Sequence, residues 1–312
     1  MSLISRRFSR RAGAVVAALT ALGVVAAPAA TAQITLPDGL EWVGSSDVGS
    51  SVTGSMNTAV SGTESAPRAP LPGWKEIFVD DFTTDAPVGS FANDECDNPR
   101  KVVYTGTENT RWTAYPECYT DTFNSFPYRA DEVLSVHDGA LDYNLHEVDG
   151  KRAGANLSPL VSGDDQAQLY GRYSARIKVS NPFITGYRLA MLLWPDSEVW
   201  PTEGELNFPE GELTGPIRGY HHFAEPDATA NSQAISEYDY STFTDWRVVT
   251  TEWTPTTVRY ILDGKVLLES QRGVPNTPMR WQLQLESSLY PDLGSGNFYV
   301  DWVTVHSWDG AQ

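Results

Sequence analysis

The stretch WPTEGELNFPEGELTG, residues 200–215, alternates polar and apolar side chains around a central proline. In a regular β-strand alternate side chains share a face, so Glu205 and Asn207 would lie on one side of a sheet and Leu206 on the other. Glu210 would then fall on the apolar side. An unpaired carboxylate buried there would be costly, so a regular strand does not suit this stretch.

Pro209 indicates how the chain avoids this cost. A proline has no backbone N–H to give to a sheet and is tolerated within one at an edge or in a bulge. A bulge adds one residue to a strand and resets the alternation of the residues after it. With the extra residue at Phe208 and Pro209, Glu210 rejoins Glu205 and Asn207 on the polar face. The sequence therefore predicts a bulged strand with two carboxyl groups on one face.

The rest of the chain after residue 70 consists of short strand-like segments with turns between them. Residues 133–145 and 257–268 each have two such segments joined by Asp-Gly, which is a strong hairpin signal. No long stretch combines a helical period with caps. We therefore predict one all-β domain over residues 71–309, an antiparallel β-sandwich.

The first 32 residues differ from the rest: four arginines precede an apolar run over residues 12–27, and Ala-Thr-Ala follows at residues 30–32. This pattern predicts a cleaved export signal, through either the Sec or the twin-arginine route. The apolar run is short for a membrane span, so we expect no membrane span after cleavage. Residues 33–70 are rich in Ser, Gly and Thr, which predicts a flexible linker. The expected location is extracellular, with association with the cell wall left open.

The net charge indicates which class of ligand the protein binds, and the two cysteines indicate a disulfide. The chain has 22 basic and 40 acidic residues, a net charge of −18, and loss of the four signal arginines would make it −22. Such a charge argues against nucleic acid and suits a neutral or cationic ligand. Cys96 and Cys118 form an even pair in a chain expected to be exported, which predicts a disulfide. We expect a monomer.

The motif and four further segments together resemble glycoside hydrolase family 16, the group of laminarinases, lichenases and agarases with a concanavalin A-like jelly roll. The family's bulged subgroup carries Glu-x-Asp-x-x-Glu after Trp-Pro and Gly, and residues 200–210 follow this pattern. Matching segments stand in the family's order over residues 74–308. They are YGRYSARIK at 170–178, EWTP at 252–255, YILDG at 260–264 and YVDWV at 299–303.

The resemblance implies a retaining glycosidase in which Glu205 is the nucleophile and Glu210 the acid/base. Asn207 stands where the family has an aspartate that orients the nucleophile. An amide can donate a hydrogen bond to Glu205, but it lacks the negative charge that helps to keep Glu210 protonated. We therefore expect a changed pH optimum or a lower rate. Glu203 and Glu212 are expected at the rim of the cleft or in solvent.

The resemblance also implies that aromatic side chains near the motif stack on sugar rings, although a β-sandwich uses aromatics as strand formers too. The expected sugar contacts are Trp194, Trp200, Trp112, Tyr115, Tyr187 and His222. Trp253, Trp281 and Trp302 fit core positions better. His221 and His222 are adjacent on a strand and point apart, so they are not expected to bind zinc. Arg188 would bind an anionic sugar group or pair with acids.

Family members often carry a structural calcium, and Asp301 matches one of its ligands by resemblance; the alternative is an ordinary acid in a strand. No cofactor is expected to be required. The sequence thus favours a secreted retaining endo-glycosidase of a β-linked polysaccharide, with β-1,3-glucan as the default substrate. Two alternatives stay open: a non-catalytic, lectin-like carbohydrate-binding jelly roll, and a transglycosylase acting on cell-wall glycans.

Overall fold

β-Strands account for nearly all regular secondary structure in the computed structural model, which describes residues 62–290 and 294–310. In chain order the strands are β1 (Trp74–Asp80), β2 (Val102–Thr105), β3 (Arg111–Ala114), β4 (Leu134–His137), β5 (Ala140–Leu145), β6 (Glu147–Val148), β7 (Lys151–Arg152), β8 (Ala155–Pro159), β9 (Ala167–Gln168), β10 (Gly171–Val179), β11 (Tyr187–Pro195), β12 (Glu205–Glu212), β13 (Tyr220–His222), β14 (Gln233–Ile235), β15 (Arg247–Trp253), β16 (Val258–Leu262), β17 (Lys265–Ser270), β18 (Met279–Ser287) and β19 (Gly296–Trp308). The helical elements are one turn of α-helix, α1 (Ala130–Val133), and a 3₁₀ turn at Thr107–Asn109.

The described strands form two large antiparallel sheets. One, the back sheet, has the order β17-β16-β15-β10-β19-β5-β4, with β1 also paired to β19. The other, the cleft sheet, has the order β14-β13-β12-β11-β18-β8-β3-β2, with β9 also paired to β18. β6 and β7 form a separate two-stranded ribbon. The all-β antiparallel fold predicted from the sequence is confirmed.

Side chains from the inner faces of both sheets form one hydrophobic core. Phe208 of the cleft sheet stacks on Tyr260 of the back sheet, with ring centroids 5.1 Å apart and planes 8° apart. Tyr173 and Trp281 make a similar contact between the sheets at 5.5 Å. Trp253 is fully buried, and Trp281 and Trp302 are nearly so. These contacts place the two sheets face to face, which is a sandwich.

The predicted bulge is present in β12. In the pairing of β11 with β12, Leu192 lies opposite Asn207 and Ala190 lies opposite Glu210. Two residues on β12, Phe208 and Pro209, therefore face a single residue on β11. Phe208 stays in the core, as does the preceding Leu206. The extra residue restores Glu210 to the face of Asn207, as the sequence predicted.

The Asp-Gly turns also form where the sequence placed them. β4 and β5 pair across Asp138-Gly139, and β16 and β17 pair across Asp263-Gly264. All four turn residues have positive φ, the left-handed conformation for which Asp and Gly are suited in tight hairpins. Both hairpin predictions are confirmed.

The domain begins earlier than the predicted boundary at residue 71. Ala66, within the segment assigned to the linker, is buried against Val79 and Trp302. The Ala66 N–H donates to Asp81, and the Glu64 N–H donates to Asp301. Residues 62–70 therefore pack on the domain, because backbone donors find acceptors there that composition does not reveal. The predicted export signal and the linker up to residue 61 lie outside the described residues.

Cys96 and Cys118 form the predicted disulfide. Within residues 62–290 and 294–310, none of the helices has the length and apolar character needed to cross a membrane.

Candidate active site

β12 runs along the floor of a cleft of about 1430 Å³ and supplies Glu205, Asn207 and Glu210 to its lining. Its register with β13 places His222 opposite Glu205 and Tyr220 opposite Asn207. Paired residues on neighbouring strands share a face, so Tyr220 and His222 also face the cleft side of the sheet. His221, between them, is completely buried on the opposite side. The structure thus separates the two histidines as the sequence predicted.

Asn207 bridges the two glutamates. Its Nδ2 donates to Glu205 Oε1 and to Glu210 Oε2, each at 2.9 Å. An ionised carboxylate only accepts hydrogen bonds, so the amide must present its NH₂ group to the pair. Two oxygens that share one nitrogen at 2.9 Å are at most about 5.8 Å apart, twice that bond length. Retaining glycosidases hold their carboxyl groups about 5–5.5 Å apart, and this arrangement is compatible with that spacing.

Burial raises the pKa of Glu205 to about 8, and the nearby charge of Glu210 adds to the effect. Hydrogen bonding from Asn207 and an interaction with Trp200 oppose the rise. Burial and a like charge raise the pKa because each disfavours the ionised form of a carboxyl group. Near neutral pH the Glu205 carboxyl therefore favours its protonated form.

Arg188, from β11, lies against the same pair. Its Nη2 donates to Glu210 Oε1 at 2.8 Å, and its Nη1 is 3.8 Å from Glu212. The guanidinium also lies over the ring of Phe123, 4.6 Å from the centroid. Of the two alternatives for Arg188, the structure shows pairing with acids. The guanidinium therefore occupies one carboxyl oxygen of Glu210.

Glu203 and Glu212 have different surroundings. Glu212 is partly buried beside Arg188, and burial raises its pKa. Glu203 accepts hydrogen bonds from Ser197 and Thr277 and is absent from the cleft lining. Glu203 therefore supports the loop before β12, whereas Glu212 belongs to the charge network of the site.

Trp194 and Trp200 both line the cleft and stack on each other, with centroids 6.1 Å apart and planes 14° apart. The Trp194 Nε1–H donates to Glu198 at 2.8 Å, which fixes the orientation of that ring. Trp200 meets the edge of His222. His222 Nδ1 and Asn207 Oδ1 are buried without a hydrogen-bond partner among the described residues. The cleft lining thus combines aromatic rings with polar atoms that have no hydrogen-bond partner among the described residues.

Trp112 and Tyr187 are not available to a sugar, which corrects the expectation for both. Trp112 is completely buried, and its Nε1–H donates to Asp80 at 2.8 Å inside the core. Tyr187 is 1% exposed, and its hydroxyl donates to the carbonyl of His146. Tyr115 does line the cleft, where its hydroxyl accepts a hydrogen bond from Gln282.

The position of Tyr187 follows from strand alternation. On β11, Arg188, Ala190, Leu192 and Trp194 line the cleft, while Tyr187, Leu189, Met191 and Leu193 belong to the core. Trp194 and Tyr187 are an odd number of residues apart and so face opposite ways. The two assignments were incompatible on one regular strand, and this parity was visible in the sequence.

Two parts of the cleft were missed by the sequence analysis. On β18, Arg280, Gln282, Gln284 and Glu286 line the cleft, and the residues between them are in the core. The strict alternation of MRWQLQLES could have identified this face. The other part is a wall formed by residues around the disulfide, including Cys96, Cys118 and Tyr119. No local sequence pattern marks a loop as the wall of a cleft on another part of the chain.

The surroundings of Asp301 do not fit a calcium ion. Its Oδ2 accepts hydrogen bonds from the Arg176 guanidinium and from the Glu64 N–H. A bound cation would have to displace a positive charge already paired there. Within residues 62–290 and 294–310, no group of three or more His, Cys, Asp or Glu side chains is placed to hold a metal ion.

Known structures share this fold. The laminarinase from Rhodothermus marinus is 18% identical, with a TM-score of 0.53, over 77% of this chain and 99% of that one. SCLam, a non-specific endo-β-1,3(4)-glucanase from glycoside hydrolase family 16, is 15% identical, with a TM-score of 0.55, over 81% and 98%. A GlcNAcα1-4Gal-releasing endo-β-galactosidase from Clostridium perfringens is 18% identical, with a TM-score of 0.53, over 80% and 66%.

No protein-family model matches the sequence, and no curated protein sequence matches it either. The likeness is therefore one of fold: the chain adopts the jelly roll of the family 16 glucanases.

Proposed function

We propose that this protein is a retaining endo-glycosidase that hydrolyses a β-linked polysaccharide, with β-1,3-glucan as the first substrate to test. The observation that carries the proposal is the amide bridge from Asn207 to Glu205 and Glu210 on the floor of the cleft. The bridge keeps one oxygen of each carboxyl group within about 5.8 Å of the other, which is compatible with double displacement. The fold shared with endo-glucanases and an endo-β-galactosidase supports the same class of reaction.

In the first step Glu205 attacks the anomeric carbon as Glu210 gives its proton to the leaving glycosidic oxygen. The glycosidic C–O bond breaks and a covalent bond from the sugar to Glu205 forms. Glu210, now ionised, removes a proton from water, and the resulting hydroxide displaces Glu205 with retained configuration overall. The active form of the pair therefore carries one proton, on Glu210 at the moment of attack.

Burial favours the protonated form of Glu205, whereas the proposed attack needs Glu205 ionised and the proton on Glu210. Hydrogen bonding from Asn207 to Glu205 works against this bias. Bound substrate must therefore move the proton from Glu205 to Glu210. The leaving glycosidic oxygen is a hydrogen-bond acceptor, so only the protonated form of Glu210 can donate to it.

A non-catalytic sugar-binding protein is the second candidate, and two observations favour it. Asn207 replaces the charged residue of the family motif, and Arg188 is engaged on the expected acid. Transglycosylation is a variant of the first candidate in which a sugar hydroxyl takes the place of water. It uses the same residues and differs only in its products.

The test is release of reducing ends from laminarin, mixed-linkage β-glucan and β-galactan, with analysis of product length and anomeric configuration by NMR. We expect release by the wild-type protein with the β-anomer appearing first. Glu205→Gln and Glu210→Gln should each abolish release while Glu205→Gln still binds the same glycan. Glu269→Gln, a matched change on the back sheet, should be fully active.

Binding without release by the wild-type protein would support the lectin-like alternative. Products longer than the substrate would indicate transglycosylation. Failure to bind or cleave any of these glycans would contradict the proposal.

We also propose that residues 1–32 direct export, that no cofactor is required, and that the mature protein is monomeric. Mass spectrometry of protein from the culture medium, together with light scattering, checks the first and the last. Unchanged activity after dialysis against a chelator checks the second.

A further inference from the structure

The cleft face of the sheet continues past β13 toward the β14 edge. The Glu210 N–H donates to the carbonyl of Arg218 at 2.8 Å, so Arg218 is the cross-strand neighbour of Glu210. The Arg218 guanidinium lies over the ring of Tyr220, 5.4 Å from its centroid, and Tyr220 is paired with Asn207 on the cleft side. A line of side chains thus leads outward from the two glutamates.

Two exposed tyrosines extend this line. The Arg218 guanidinium also lies over the ring of Tyr238, 4.0 Å from the ring centroid, and the Tyr238 hydroxyl accepts a hydrogen bond from Arg218 Nη1. Tyr240 stacks on Tyr238 with centroids 5.7 Å apart. We call Tyr220, Arg218, Tyr238 and Tyr240 the edge ladder. The guanidinium contacts two aromatic rings, and these contacts order the side chains before any ligand arrives.

The edge ladder exposes more aromatic surface than packing requires. Tyr238 is 44% exposed. Tyr240 is 80% exposed, which is the highest value for a large hydrophobic side chain among the described residues. Ile235, nearby on β14, is 41% exposed. Arg218 Nε is buried and donates to no acceptor in the described part of the chain. Exposed flat rings beside a guanidinium suit a sugar, which has an apolar C–H face and polar hydroxyls.

The position of the edge ladder favours a long chain as its ligand. Trp194 stands on β11, on one side of β12, and the edge ladder stands beyond β13, on the other side. A polysaccharide that crosses the strands over Glu205 and Glu210 would meet aromatic rings in both directions. The chain of contacts from Asn207 through Tyr220 to Tyr240 favours sugar over a second copy of the protein at this edge.

We propose that the edge ladder is an additional sugar-binding subsite, which takes a neutral hexopyranose unit of the polysaccharide beyond the units that fill the cleft. This inference rests on the proposed function, because it takes the polysaccharide as the ligand. Tyr240 and Tyr238 would stack on the C–H face of the sugar, and Arg218 would donate to its hydroxyls.

The test uses Glu205→Gln as the parent, so that no substrate is cleaved, and laminari-oligosaccharides of two to eight units measured by calorimetry. Adding Tyr240→Ala or Tyr238→Ala should weaken binding of the longest oligosaccharides about fivefold, the order of one aromatic contact, and leave the shortest unchanged. Phe183→Ala is the matched control, since Phe183 is 75% exposed and is absent from the cleft lining. It should change neither.

Equal affinity of the parent and the tyrosine variants at every length would overturn the subsite and leave the proposed function standing. So would an equal loss with Phe183→Ala. A fall in molecular mass on light scattering, with sugar affinity unchanged, would show instead that the edge joins two copies of the protein. If the parent binds none of these oligosaccharides, nor those of mixed-linkage β-glucan or β-galactan, both the subsite and the proposed function fail.

Discussion

Asp80 and Glu205 are both buried carboxyl groups, 1% and 6% exposed, but their surroundings differ sharply. Asp80 accepts hydrogen bonds from the Thr110 hydroxyl at 2.6 Å, the Trp112 indole at 2.8 Å and the Phe82 N–H at 2.9 Å. Glu205 accepts one at 2.9 Å, from Asn207, and has a second carboxylate beside it. Burial raises the pKa of both groups, but three close donors oppose the rise at Asp80.

The difference separates structure from chemistry. A buried carboxylate whose oxygens all accept hydrogen bonds stabilises the fold and has few lone pairs free for a ligand. A buried carboxylate that has few hydrogen-bond donors and lies close to a like charge costs folding free energy. Such groups are concentrated at catalytic sites. By this criterion Asp80 is structural and Glu205 is a candidate for catalysis.

The largest expected effect is on Asp80. Asp80→Ala removes the acceptor for the buried Thr110 and Trp112 donors, so we expect a loss of about 3 kcal/mol in the free energy of unfolding. Urea titration measures it. At low temperature, where the variant stays folded, activity per folded molecule should be close to wild type. A change below about 1 kcal/mol in the free energy of unfolding would mean that the hydrogen bonds to Asp80 contribute little to stability.

Glu205→Gln should act in the opposite direction on stability. The folded-state pKa of Glu205 is raised to about 8, above the value of about 4.3 in the unfolded chain. The folded protein therefore holds a proton that the unfolded chain releases, so wild-type stability falls as pH rises from about 4.3 to 8.

The uncharged variant escapes this fall. We expect it to match wild type near pH 4.5 and to exceed it at pH 8.5, with the margin growing between these values, measured by urea titration at both pH values. Glu269→Gln should show no gain that grows with pH. A constant difference between Glu205→Gln and wild type across this range would contradict the prediction.

Asn207→Asp adds a negative charge beside Glu205, the buried carboxyl group with few hydrogen-bond donors. An extra carboxylate beside Glu205 and Glu210 makes the pair hold its proton more tightly. The alkaline limb of the kcat/KM profile should therefore move up by about one pH unit. Asn207→Ala, which removes the donor without adding a charge, serves as the control and should lower kcat/KM with a smaller shift. An unmoved limb in Asn207→Asp would show that residue 207 acts through hydrogen bonding alone.

Arg188→Gln is expected to have the smallest effect. The charged and titratable groups around Glu210 are Glu205, Glu212, Arg188, Tyr220, His222 and Tyr260. The substitution removes the guanidinium that is bonded to Glu210, and the alkaline limb of kcat/KM should rise by about half a pH unit. Arg188→Lys should restore the wild-type limb. A uniform loss of activity without a shift would indicate that Arg188 only fills space beside Phe123.

The sequence predicted features that depend on neighbouring residues along the chain. Pro209 required a bulge, and the bulge placed Glu210 beside Asn207. Asp138-Gly139 and Asp263-Gly264 gave the two hairpins. The structure agrees because backbone chemistry at these positions does not depend on distant parts of the molecule.

The features that escaped the sequence depend on partners far apart in the chain. Trp112 was expected to stack on sugars, but its indole is held by Asp80, 32 residues away. Ala66 was assigned to a linker, yet it packs on Trp302 from the last strand. The edge ladder needs Arg218 and Tyr238, which are 20 residues apart in the chain and which only the fold aligns. Composition and alternation carry no information about such pairings.

The disulfide has a practical consequence for anyone who purifies the protein. Cys96 and Cys118 lie in the wall of the cleft, whereas both large sheets are held by backbone hydrogen bonds and core packing. Dithiothreitol would therefore release the wall and leave the sandwich intact. We expect material made in a reducing cytoplasm to show normal circular dichroism and to have an altered cleft wall.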